Sequence, residues 1–177
     1  ARRWRLLSVT ALMTGLVAGI FWNPPYPAPF ENNMAFVDFV DLQETAAGFL
    51  SHRFPGMQVL TTWPLAQALA MPELGYVERP MKVRSIGDFR LSRLATLGDP
   101  AGEVLVLYGR DRESLWNRMP WAMFESLRER YYGYIPPVPA AELSTLVPLE
   151  ELARWERRGQ FIAVFRRRQL SAIASGY

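Results

Sequence analysis

The sequence contains no cysteine, and that absence removes disulfides, thiolate metal sites and cysteine nucleophiles together. Lysine is almost as scarce. Lys82 is the sole one, so arginine carries nearly all the positive charge. His52 is the only histidine, which leaves no second imidazole for a metal site and no triad spacing around it. Neither a G-x-G-x-x-G nor a G-x-x-x-x-G-K-[ST] run occurs, and there is no G-x-S-x-G. A phosphate-cradling loop and a nucleophile elbow are therefore not expected. Charge of one sign is lacking too. The net charge is +3, and apart from Arg2-Arg3-Trp4-Arg5, Arg157-Arg158 and Arg166-Arg167-Arg168 the basic residues are scattered. A nucleic-acid surface concentrates a larger basic excess on one face, so no nucleic-acid partner is expected.

What the chain does have is apolar and aromatic residues, at 50% and 13% of its 177 positions. That composition folds rather than staying disordered. The most distinctive stretch comes first. Residues 6–22, LLSVTALMTGLVAGIFW, carry no charge over 17 positions. As a helix they reach about 25 Å, slightly short of a hydrocarbon core of ~30 Å. Trp4 and Trp22 bracket the run as interfacial anchors and Arg5 can snorkel, which closes the gap. Asn23-Pro24-Pro25 then stops the helix.

A cleaved signal peptide shares the charged start and apolar middle. Here no clean small-x-small site precedes the proline-rich stretch, and Trp22 suits an anchor, so residues 1–22 are expected to be a membrane anchor. Arg2, Arg3 and Arg5 precede the span and the next basic residue is Arg53. The positive-inside rule then places the N-terminus in the cytoplasm and the bulk of the chain outside, in the periplasm of a bacterial inner membrane. Gly15 and Gly19 form a G-x-x-x-G, and with Ser8, Thr10 and Thr14 they offer a face on which another helix can pack.

About 155 residues follow, one domain's worth. Residues 23–35 open with NPPYPAPFENN, expected as an extended linker, with Asn32 and Asn33 available to cap the next element. Residues 36–54 read as a helix with an apolar stripe of Phe36, Phe39, Val40, Ala46, Ala47, Phe49 and Leu50, ended by Pro55-Gly56. A β-α-β-α-β rhythm comes next. It has strands at 57–61, 82–86 and 103–108, a helix capped by Thr62 with Pro64 in its first turn, and another over 88–97. EVLVLY at 103–108 is continuous and β-branched, as in the middle of a parallel sheet. Residues 114–131 read as a helix, and 152–158 with 160–170 as an antiparallel hairpin about Gly159 that sets Phe161, Ala163 and Phe165 on one face. The fold class is α/β: one transmembrane helix, a small domain over 36–170 with a mixed sheet and C-terminal β-hairpin, and a tail at 171–177.

Candidate chemistry is sparse. His52 falls at a helix end, where a cation suits the dipole. Asp38, Asp41 and Glu44 recur every three positions; an ion site or acid/base pair needs more oxygens than these, and a solvated acidic face is the expectation. Trp116, Trp121, Phe124, Tyr131, Tyr132 and Tyr134 cluster in sequence, with Arg118, Arg128 and Arg130 beside them. Core packing of the 114–131 helix accounts for much of that cluster. Trp116, Arg118, Trp121, Tyr131 and Tyr132 are the candidates for a protein interface.

Val59-Leu60-Thr61-Thr62-Trp63-Pro64 and Pro72-Glu73-Leu74-Gly75-Tyr76-Val77 carry a resemblance, with an Arg-Tyr-Tyr-Gly-Tyr echo at 130–134. Over roughly residues 6–110 the chain resembles the C-terminal extracytoplasmic domain of polytopic bacterial glycosyltransferases related to protein O-mannosyltransferases and aminoarabinose transferases. The resemblance implies a soluble α/β domain after a last membrane helix. It carries over no catalytic residue, because in that family the acidic catalyst follows the first of many membrane helices and the polyprenyl-phosphate donor lies among them. The expectation is a non-catalytic accessory subunit, without cofactor or metal, of a larger membrane complex of respiratory or photosynthetic type. Its partners would be other membrane subunits and lipids. The alternative is the terminal domain of such a glycosyltransferase.

Overall fold

A computed structural model describes residues 2–21, 31, 33–96, 103–110, 130–131 and 149–167. Its elements run α1 (Arg2–Phe21), α2 (Met34–Arg53), β1 (Gln58–Thr61), α3 (Leu65–Ala70), a 3-10 turn (Pro72–Leu74), β2 (Lys82–Ser85), α4 (Leu91–Ala95), β3 (Glu103–Gly109), β4 (Leu149–Arg157) and β5 (Gln160–Arg167). The class is α/β with a mixed sheet, as the periodicity implies. The chain divides into two compact units, 1–42 with 109–135 and 156–161, and 43–108 with 136–155 and 162–177.

The second unit holds the sheet, whose strand order is β2-β1-β3-β5-β4. β1 pairs in parallel with both β2 and β3, Val59 opposite Val83 and Val104. Lying between two neighbours explains why β1 reads as a short apolar run. Val59, Leu60 and Thr61 are fully buried, and the Thr61 hydroxyl donates to the Val106 carbonyl at 3.0 Å, so the strand's one hydroxyl is satisfied inside the sheet. β3 is buried from Val104 to Tyr108. Its continuous apolar character is that of a strand covered on both faces. α3 packs on β1 and β2. From the later turns of α2, Ala46, Ala47 and Leu50 are buried, and Phe49 sets its ring edge-on to Trp155 of β4 with centroids 5.2 Å apart.

In the first unit the opening turns of α2 bury Ala35, Phe39 and Leu42. The spacing is that of one helical face. Arg157, Arg158 and Gln160, at the turn of the β4–β5 hairpin, reach this part of α2. Arg157 meets Asp41 at 2.6 Å, Arg158 meets Asp38 at 3.4 Å, and the Gln160 amide donates to the Ala35 carbonyl at 2.8 Å. The turn is Arg158-Gly159 with φ of 48° and 87°. Both are positive, as a two-residue turn matched to strand twist requires.

Three local expectations change. The helix after Thr62 starts at Leu65 with Pro64 as its cap position and no side-chain cap; the Thr62 hydroxyl donates to the Gly87 carbonyl at 2.6 Å instead. The segment 88–97 is helical only from Leu91 to Ala95, because the Asp88 carboxylate accepts the Arg90 N–H at 3.0 Å and so holds a turn before it. On β5 the buried apolar residues are consecutive, Ile162 to Phe165, while Phe161 is half-buried. A strand between β3 and β4 is covered on both faces, so the alternation read at 161, 163 and 165 does not separate core from solvent.

Leu60→Ala tests β1 as the centre of the sheet. It is expected to cost about 2–5 kcal/mol of unfolding free energy for a fully buried leucine, read from the urea midpoint of the full chain in detergent micelles.

Candidate membrane helix and strand-end turn

α1 takes in the arginines, and its 20 residues extend about 30 Å, the thickness of a hydrocarbon core. The stretch from Arg3 to Phe21 is long and apolar enough to cross a membrane, and none of it is buried within the chain. Trp4, Leu6, Leu7, Leu12, Leu16 and Phe21 are all at least 60% exposed. These side chains point around the whole circumference, so α1 lacks the polar face of a surface helix. Trp4 lies in the first turn, 74% exposed, with Arg5 next to it. Gly15 and Gly19 face open space: a Cβ added at either would have no neighbour within 4 Å. Trp22 lies outside the described residues.

Asn33 meets the last turn of α1. It is 2% exposed, and both ends of its amide are used. The side-chain oxygen accepts the Ala35 N–H at 2.8 Å, which caps α2, and the side-chain nitrogen donates to the Gly19 carbonyl at 2.9 Å. Gly19 is among the last four residues of α1, whose carbonyls lack an intrahelical partner. Each such bond is worth about 0.5–1.5 kcal/mol net, and the cap about 1. The capping role was legible in the sequence. The bond to Gly19 was not, because the two residues are 14 positions apart across a proline-rich segment.

In the second unit, the two turns that follow β1 and β2 lie at the carboxyl ends of parallel strands. Order β2-β1-β3 means the chain leaves β1 toward β2 and then crosses to β1's other side, the arrangement at which open α/β sheets carry their crevices. Thr62 is buried here and Trp63 is 62% exposed, ahead of a cis Trp63–Pro64 bond. The Tyr108 hydroxyl donates to the Trp63 carbonyl, and the Phe89 ring stands edge-on to Tyr108 at 4.9 Å. The Trp63 indole N–H donates to Gln67 at 3.2 Å. Asp88 and Arg90 lie beside Phe89, 3.9 Å apart. This turn presents an aromatic side chain and one ion pair, without a nucleophile–base pair.

The remaining sequence candidates resolve locally. The His52 ring nitrogen turns back onto the Gly48 carbonyl of its own helix at 2.8 Å. Asp38 and Asp41 are the partners of Arg158 and Arg157, and exposed pairs of this kind contribute about 0–1 kcal/mol. Among the described residues no group of three or more His, Asp or Glu side chains is placed to hold a metal. Tyr131 is 67% exposed with the Arg130 guanidinium over its ring at 5.8 Å. Trp116, Arg118, Trp121 and Tyr132, with Phe124, Arg128 and Tyr134, lie outside the described residues, as does the 114–131 helix apart from Arg130 and Tyr131.

Comparison with protein-family models, curated proteins and solved structures gives no match. Function is therefore argued from the chain's own geometry.

The Pro72–Val77 segment gives a titration test. Gly75 takes φ of 83° to close the 3-10 turn, and Tyr76 follows it half-buried. Burial raises the Tyr76 phenol above its ordinary 10.0, and the Glu44 carboxylate raises it further. The folded state thus holds this proton more tightly than the unfolded one. The resulting stability is fully present below the unfolded value and is lost as pH rises through the folded one. Tyr76→Phe removes that dependence, so alkaline unfolding curves of wild type and variant should differ in slope above pH 10 and run parallel below it.

Proposed function

We propose that the chain is a non-catalytic accessory subunit of a larger membrane protein complex. α1 docks it in the bilayer with its N-terminus in the cytoplasm, and the remainder lies on the periplasmic side. One observation carries the reading. A helix of membrane-spanning length keeps its apolar side chains uncovered on every side. Nothing in the described chain removes that surface from water, so a bilayer and neighbouring helices are its natural surroundings. The open flank at Gly15 and Gly19 supports close approach by another helix. Arginines at the start of the span, and no lysine or arginine after it until Arg53, support the orientation. The exposed indole of Trp63 at the strand-end turn supports a role in binding.

A second reading is the C-terminal extracytoplasmic domain of a polytopic glycosyltransferase. It is favoured by the placement of the V-L-T-T-W-P turn at the carboxyl end of the central parallel strand, with Trp63 exposed there. Further hydrophobic spans encoded directly upstream of residue 1 would favour this reading over a single-helix subunit.

Purification in mild detergent tests the first reading. The tagged chain should bring down other membrane polypeptides, whereas migration alone near its own 20.3 kDa would count against a stable partner. Gly15→Leu with Gly19→Leu should reduce recovery in the complex. A double variant recovered as well as wild type would remove the G-x-x-x-G from the docking face.

A further inference from the structure

The junction between α1 and α2 contains a continuous run of polar contacts, buried from Asn33 onward. From the membrane helix outward, the Gly19 carbonyl accepts the Asn33 side-chain N–H. The Asn33 side-chain oxygen accepts the Ala35 main-chain N–H. The Ala35 carbonyl accepts the Gln160 side-chain N–H. Three bonds of 2.8–2.9 Å thus join the end of α1, the start of α2 and the hairpin turn. Asn33 and Gln160 are at most 2% exposed. Just beyond them, Arg157 and Arg158 bind Asp41 and Asp38 on the same stretch of α2.

Capping α2 needs only an acceptor at position 33, a role that aspartate and serine fill equally well. Asparagine adds a donor, and that donor is spent on the one element a cap does not require. We infer that Asn33 is a latch, a conformational device that holds the last turn of α1 at a fixed angle to the first turns of α2. Gln160 backs the latch by holding the Ala35 peptide from its far side. Because burial excludes competing water, the Gln160 bond is stronger than it would be at the surface. The consequence for function rests on the membrane reading of α1: a movement of the helix in the bilayer is passed to α2 and the hairpin turn instead of being absorbed by a flexible joint.

The absence of cysteine makes the latch measurable in the full chain. Leu16→Cys and Val37→Cys, at exposed positions on α1 and α2, accept a pair of spin labels in lipid vesicles. The expected wild-type result is a single narrow distance distribution. Asn33→Asp keeps the acceptor that caps α2 and removes the donor to Gly19, so it should broaden the distribution and lower the melt by what the lost bond and the buried charge cost. Asn33→Ala removes both functions and should broaden the distribution and lower the melt. A narrow distribution in Asn33→Asp overturns the latch. So does a broad distribution in the wild type, which decides the matter even where a variant fails to fold. Collision of the Leu16 label with oxygen or with a water-soluble nickel chelate reports separately whether α1 lies in lipid. A water-exposed label with a narrow distance would end the membrane reading and leave the latch standing.

Discussion

The exposed apolar circumference of α1 is the constraint on which the other readings depend. A soluble helix hides one stripe and wets the rest. α1 has no side to wet, since Leu6, Leu12, Leu16 and Phe21 project in different directions and all remain uncovered. Between its end turns its main-chain groups are satisfied within the helix, as a low-dielectric medium demands. Its length matches that medium only when the turn bearing Arg3 and Arg5 is included, and long arginine side chains can reach from such a depth back to water. The exposure of Gly15 and Gly19 follows from the same fact: a small-residue flank is useful only to something outside the described chain.

The rest of the chain solves a more ordinary problem. A short parallel core, β2-β1-β3, is built from strands with little to show at their surfaces, and the hairpin of β5 and β4 extends it. The polar groups drawn into that core are matched within it, as Thr61 with Val106 and Thr62 with Gly87 illustrate. Gln160 is the partial exception. Its nitrogen holds Ala35, while its oxygen is buried without a hydrogen-bond partner. A cost of about 1–3 kcal/mol attaches to such a group, so the bond to Ala35 is held against a penalty. That agrees with a position kept for what it orients.

Legibility in the sequence followed the range of the interactions. α1, α2, β1, β3 and the Arg158-Gly159 turn depend on periodicity, apolar runs and turn chemistry within a few residues; all but the start of α1, which begins four residues before the apolar run, were readable to within a residue or two. The failures at Thr62 and Phe161 share one cause. At each, a residue's local preference competed with a partner or a cover supplied from elsewhere: the Gly87 carbonyl for Thr62, and coverage of both faces of β5 for Phe161. At Asp88 the competitor was local, an Asx turn to Arg90. The acidic spacing of Asp38 and Asp41 was equally visible, but that arginines of a distant hairpin would take both carboxylates was not.

By itself, then, the sequence determined a span-length apolar helix, an α/β domain and the lack of cysteine, thiolate and phosphate-loop chemistry. These are properties of composition and of short-range pattern, and no folding partner is needed to express them. Only the tertiary structure decided the order of the strands, the pairing of Asp38 and Asp41, and the meeting of Asn33 with Gly19. Each of those depends on which distant groups arrive within hydrogen-bonding distance. The sequence of α1 shows a helix fit to cross a membrane. What the fold adds is that the helix's end is tied, through one buried amide, to the element that follows it.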